Sequence, residues 1–243
     1  MGKVILHIPH SSMLIPDYIR KDILLIDSEL KEEMELITDL YTDLIFNGKD
    51  VVKFEFSRFV CDVERFEDDK LETMAKLGMG AVYLKIPSGK ELRYFDNVKR
   101  KHIMDNYYKI HHARLEAMVN DKLDKHNECF ILDCHSFNPN TNYVQMQGVP
   151  DICIGVDNYH TSAKTKDDAI SIFQSLGYSV RINNPFSGSI VPMNYYNKDK
   201  RVKSMMIELN RRIYIKGRTE IDEEGMQRVT SACNQVIDSV ENE

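Results

Sequence analysis

Cys129-Phe130-Ile131-Leu132-Asp133-Cys134-His135-Ser136-Phe137-Asn138 is the stretch whose reading decides the fold. It starts as a short apolar run, long enough for one buried strand. It then places Asp133, His135 and Ser136 where that strand must stop. In open α/β folds, ligands bind just beyond the carboxyl ends of the strands. Side chains alternate along a strand, so Asp133 and His135 share one face and Cys134 takes the other. A polar strand end of this kind is often only structural, its histidine satisfied by a backbone partner. The rest of the chain decides between the two readings.

Outward from that stretch, strand and helix patterns alternate. Residues 3–8, 50–56, 81–86, 129–135, 151–156, 178–182 and 202–209 read as strands. Leu30, Met34, Ile37, Leu40, Tyr41 and Leu44 recur at helical spacing, so residues 28–46 read as one helix, with Ser28 as N-cap and Gly48 as its stop. Further helices are expected over 97–126, 161–176 and 220–241, while 66–80 reads as irregular. Alternation at these lengths predicts a mostly parallel sheet between two helical layers. No internal repeat, low-complexity tract or Pro/Gly/Ser linker divides the 243 residues, so residues 1–243 are expected to form one domain.

Composition narrows the function. A hydrophobic content of 42% supports a proper core. The net charge of −6 argues against nucleic acid as a partner. No apolar run is long enough to span a bilayer, and the start of the chain lacks the features of a signal segment. Five cysteines at irregular spacing, with no Cys-x-x-Cys, fit free buried thiols and a reducing, cytoplasmic setting better than disulfides or a zinc knuckle.

Four polar clusters carry the candidate chemistry. Pro9-His10-Ser11-Ser12 closes the first strand, because Pro9 has no N–H to donate to a ladder. His10 and His135 at two strand ends, with one carboxylate, would form the three-ligand zinc site of hydrolases, its fourth position open for water. Asp39 and Asp43, four apart in the expected helix, would share a face and could supply that carboxylate. In Ser57-Arg58 to Arg65, two arginines flank Asp62; either could pair with Asp62 internally or bind a substrate carboxylate. Glu208 lies in the apolar run Met205-Met206-Ile207-Glu208-Leu209, where a carboxylate needs a partner, and Asn210 and Arg211 follow it. A glutamate facing a zinc-activated water is the usual general base of such hydrolases. Adjacent His111 and His112 point about 100° apart on a helix and would not chelate together, though His112 could face the site. Cys134 beside His135 suggests a thiol nucleophile, but neighbours on a strand face opposite ways. His7, inside the first strand, reads as structural.

Taken in order, these clusters resemble the N-formylglutamate amidohydrolase family. Pro9-His10-Ser11-Ser12 with Ile15-Pro16, Thr38-Asp39-Leu40-Tyr41-Thr42-Asp43, Ser57-Arg58 to Arg65, Tyr108 to His112 and Leu132-Asp133-Cys134-His135-Ser136 look like successive family motifs. Pro150-Asp151-Ile152, Asn184-Pro185-Phe186 with Gly188, and Ile207-Glu208-Leu209-Asn210-Arg211 continue the order. The resemblance implies a three-layer α/β/α sandwich similar to zinc carboxypeptidases and amidases. It implies one zinc ion on His10, Asp39 and His135, with Asp43 and Asp62 as alternatives to Asp39, and Glu208 as general base. Arg58, Arg65, Asn210, Arg211 and Gly188 would meet a small carboxylate substrate. Asp43, Asp62, His112, Asp133 and Ser136 would support the ligands from behind. The implied reaction is hydrolysis of N-formyl-L-glutamate to formate and L-glutamate. Other expectations are an amidase or peptidase for another acylated or peptidic carboxylate, such as a cell-wall fragment, and a silent relative that binds a carboxylate or metal. Ser12, Leu40 and Glu64 depart from the family's usual Gly, Trp and Asn.

Overall fold

In the computed structural model, residues 2–140 and 148–243 are described. The chain gathers into two compact units, one of Met1–Ile8, Asp39–Lys53 and Leu115–Glu243, the other of Pro9–Thr38 and Phe54–Arg114.

The first unit holds a six-stranded sheet: β1 (Val4–Ile8), β2 (Val51–Lys53), β3 (Cys129–Phe137), β4 (Ile152–Gly155), β5 (Val180–Ile182) and β6 (Val202–Asn210). The strand order is β2-β1-β3-β6-β4-β5. Every pairing is parallel except β4 against β6. β1 and β3 are buried at every position, as strands covered on both faces must be. On one face Ile5, Cys129, Ile131 and Val202 pack against Leu115 and Val119 of helix Lys109–His126. On the other, helix Glu223–Glu241 buries Val229, Ala232, Cys233, Val236 and Val240, and Cys233 lies near Cys134 of β3. Helix Ala163–Ser175 packs beside it. The expected mostly parallel sheet between helical layers is therefore present, with one antiparallel step.

The second unit contains helices Asp17–Arg20, Asp27–Ile37 and Asn97–Ile103, and a 3-10 turn at Thr73–Leu77. Asn97–Ile103 runs through one π turn, Met104–Tyr108, directly into Lys109–His126, so the long helical pattern over 97–126 is continuous. One apolar cluster joins Phe54, Val60, Val63, Ile103 and Tyr107, and a second joins Leu25, Leu30, Phe59, Tyr83 and Leu92. No described helix is long and apolar enough to cross a membrane.

Two local expectations are corrected. The helix expected over 28–46 ends at Ile37, and only a single turn, Thr42–Ile45, follows. Thr38 is extended and Tyr41 takes a left-handed φ of 67°. The apolar spacing continues across this break, but the Asp39 carboxylate is drawn to His135, a tertiary bond that outweighs local helix propensity. Asp39 and Asp43 therefore do not share a helix face. Residues 81–86 form no strand either; they make one isolated bridge, Lys85 with Glu91. Leu84 N–H and Lys85 N–H instead donate to the Gly78 carbonyl.

Candidate active site

The inward face of β3 changes character along its length. Cys129 and Ile131 are apolar core, and Asp133 and His135 follow at the same parity. His7 of β1 stands opposite Asp133, and Glu208 of β6 stands opposite His135. The sheet thereby places two histidines and two carboxylates near the carboxyl ends of its parallel strands, where such folds bind ligands. Alternation carries Cys134 to the far face, the side on which Cys233 lies nearby.

Carboxylates hold His135 from both sides. Its Nδ1 lies 2.9 Å from Asp39 Oδ2, and its Nε2 lies 3.0 Å from Asp133 Oδ1. Asp133 Oδ1 also meets His7 Nδ1 at 2.9 Å, and Asp133 Oδ2 accepts the Ile190 N–H at 3.1 Å. All four side chains are buried. Burial opposes the charged ring of His135, yet Asp133, Asp39 and Glu208 hold its pKa well above the ordinary histidine value. Burial likewise opposes the Asp133 carboxylate, and His135 and His7 overcome it and keep its pKa low.

A second constellation, within the other unit, surrounds Asp62. Its carboxylate receives His10 Nε2 at 2.8 Å, Arg58 Nη2 at 2.7 Å, the Tyr83 hydroxyl at 2.7 Å and the Glu64 N–H at 3.1 Å, while Arg65 Nε stands at 3.4 Å. Asp62 is fully buried, and burial alone would raise its pKa; Arg58, His10 and Arg65 reverse this and hold it well below the usual carboxylate range. Arg58 also donates to the Ile37 carbonyl at 3.2 Å, closing the end of helix Asp27–Ile37. Both arginines are thus engaged by Asp62, the internal pairing that the sequence allowed.

The remaining expected residues are more dispersed. Asn210 donates to the Pro150 carbonyl at 2.9 Å and caps the 3-10 turn Arg211–Ile213. Arg211 is buried, while Arg212 is exposed and pairs with Asp151 at 2.8 Å. Ser136 is buried near Tyr214, whose hydroxyl donates to the Leu40 carbonyl at 3.0 Å. His112 Nε2 lies 2.9 Å from the Val63 carbonyl, its ring against Tyr108. Asp43 pairs with Lys53 of β2 at 3.4 Å. Gly188 has a φ of 83°, a conformation that favours glycine. Three partners escape the sequence reading: His7, Tyr83 and Tyr214. Only His7 carries a signal, since it shares parity with Ile5 on the covered face of β1.

The donor set suits a divalent cation. Asp39 and His135 supply one hard oxygen and one imidazole nitrogen 2.9 Å apart. Two ligand atoms on one tetrahedral zinc stand about 3.4 Å apart, given bond lengths near 2.1 Å. Asp133 behind His135 and Asp62 behind His10 both occupy Nε2, and ligand histidines are oriented by carboxylates in this way.

A buried glutamate beside a carboxylate-held histidine at the carboxyl edge of a mostly parallel sheet places the protein among α/β hydrolytic enzymes. A family profile described as N-formylglutamate amidohydrolase matches residues 2–215. The chain belongs to that family. It is 23% identical over 217 residues to an N-formylglutamate deformylase of Pseudomonas putida, covering 87% of this chain and 81% of the relative. The crystal structure of N-formylglutamate amidohydrolase from Ralstonia eutropha JMP134 superposes with a TM-score of 0.83 at 18% identity, over 99% of this chain and 95% of that one. A gene product of Agrobacterium tumefaciens has the same fold, with a TM-score of 0.64 at 19% identity, over 99% of this chain and 92% of that one.

Proposed function

We propose that this chain hydrolyses N-formyl-L-glutamate to formate and L-glutamate, with one zinc ion held by His10, Asp39 and His135. The observation that carries the reading is the family match over residues 2–215, which contains all of these residues and Glu208. The donor chemistry of Asp39 and His135 supports the metal. Bound there, zinc would acidify a water molecule and polarise the acyl oxygen.

The chain's own residues do the rest. Glu208 takes the proton of the attacking water and delivers it to the leaving amine. Glu208 is buried across the β3–β6 ladder from His135, which puts its carboxylate beside the residues proposed to hold the metal and within reach of a water there. Asp133 and Asp62 fix the rings of His135 and His10 through their Nε2 atoms. Arg58, Arg65 or Arg211, with Asn210 and the Gly188 loop, receives the substrate carboxylates; of the three, Arg58 and Arg65 would share their guanidinium groups with Asp62. His112, Ser136 and Asp43 support this frame.

The test is metal content and formate release measured on the same preparation. Zinc near one equivalent, and formate released from N-formyl-L-glutamate in preference to other N-acyl amino acids and muropeptides, is the expected result. Zinc-loaded protein that cleaves only another acyl compound would reassign the substrate. Protein that takes no zinc and cleaves nothing would sink the reading.

A further inference from the structure

The second unit contains a cavity of about 240 Å³ that the proposed chemistry does not use. Val82, Leu84 and Ile103 form an apolar wall, Tyr94 and Phe95 are exposed at the rim, and Arg93 is buried at the base. Tyr83, between two wall residues, points the other way and donates to Asp62, so the cavity lies on the opposite side of this segment from the Asp62 cluster.

Arg93 is the unusual group. Its Nη2 donates to the Phe59 carbonyl, while its Nε is buried with no hydrogen-bond partner. The carboxylates that line the cavity are committed elsewhere. Asp22 pairs with Lys99, Asp69 pairs with Arg100, and Asp96 caps helix Asn97–Ile103 through the Val98 and Lys99 N–H groups. Burial pushes the Arg93 pKa down to about 10, and Asp22 offsets only part of that. A buried guanidinium lacking an ion-pair partner is costly, and an anion brought beside it recovers that cost.

We propose that this cavity binds a small organic carboxylate, its anionic end on the Arg93 guanidinium and its apolar body against Val82, Leu84 and Ile103. An aromatic or branched aliphatic acid matches the wall and the Tyr94–Phe95 rim. The base supplies one fork, which suits a monoanion, and the apolar wall disfavours a bare inorganic ion.

Calorimetric titration of the full chain with benzoate tests this, with benzamide as the neutral isostere and inorganic phosphate as the bare anion. Benzoate is expected to bind and benzamide is not. Arg93→Met should weaken benzoate binding by about tenfold or more, the loss of a charge-assisted hydrogen bond. Leu24 also lines the cavity, and Leu24→Trp, which narrows it and keeps every charge, provides the second variant should Arg93→Met fail to fold; it should weaken benzoate binding comparably. Carboxylate binding elsewhere on the chain would survive both variants, so unchanged benzoate affinity in the folded variants overturns the proposal. So does phosphate binding where benzoate does not bind, or no benzoate binding to the unaltered chain.

Discussion

Glu208 stands directly across the β3–β6 ladder from His135, on the same face of the sheet and buried beside it. The ladder fixes the separation of their backbones, so both side chains start from neighbouring points on one face of the sheet. Glu208→Gln keeps the shape and removes the basic oxygen. It should retain zinc and the fold while kcat falls by about 10²-fold or more, the usual contribution of a positioned general base. Metal analysis and formate release on the same variant check this; turnover near normal would remove Glu208 from its role.

His135 also predicts how the metal-free protein responds to alkali. Burial disfavours the charged ring, but Asp133, Asp39 and Glu208 raise its pKa well above the ordinary value. A raised pKa means that the charged ring stabilises the fold fully below the unfolded value of about 6.5. That contribution is lost as pH rises through the folded value. Chelator-treated protein should therefore lose thermal stability from neutral to alkaline pH, and His135→Asn should flatten that slope. Zinc held as proposed would displace the proton between Nδ1 and Asp39, so loading near neutrality should release protons and weaken as pH falls. Calorimetry in buffers of different ionisation enthalpy reads the proton release.

Asp62 sets the response to acid. Burial raises its pKa, and Arg58, His10 and Arg65 more than reverse that. A lowered pKa gives stability that is fully present above the unfolded value of about 3.9 and is lost as pH drops through the folded value. Asp62→Asn should destabilise the protein at neutral pH by about 3 kcal/mol, because the half-buried Arg58 and Arg65 lose the buried counter-charge between them. Its stability should also fall less steeply than that of the unaltered chain below about pH 4. Urea melts from pH 3 to pH 7 measure both effects, and parallel slopes for the two proteins would refute the assignment.

How much of this was legible depends on how each residue declares itself. β1 and β3 were plain because strands covered on both faces read as unbroken apolar runs, and their polar ends stood out against that background. The break after Ile37 was not. Leu40, Tyr41 and Leu44 keep the helical spacing, while the cause of the break is the Asp39–His135 bond, 96 residues away in sequence. Residues 81–86 have the composition of a strand, but no neighbouring strand pairs with them beyond one bridge. Tyr83 was invisible as a partner of Asp62, because an aromatic in an apolar run looks like core and only the fold reveals where its hydroxyl ends. His7 looked structural, and its bond to Asp133 shows that a support role and a place beside the site can coincide.

The cysteines give the last prediction, and it bears on Cys134, whose position next to His135 suggests a nucleophile. A thiol attacks only as thiolate, so reactivity requires exposure or a lowered pKa. All five cysteines are buried and none is paired. Burial pushes Cys129 up to about 12, and burial together with Asp133 drives Cys134 well above the ordinary thiol value. A thiol reagent such as dithiobis-nitrobenzoate should therefore find no fast-reacting group in the native protein and all five in denaturant. Cys134→Ala should cost about 1 kcal/mol through lost packing and leave kcat within about twofold, since the side chain faces away from His135. Loss of turnover in a Cys134→Ala protein that still binds zinc and melts normally would return the thiol to the chemistry.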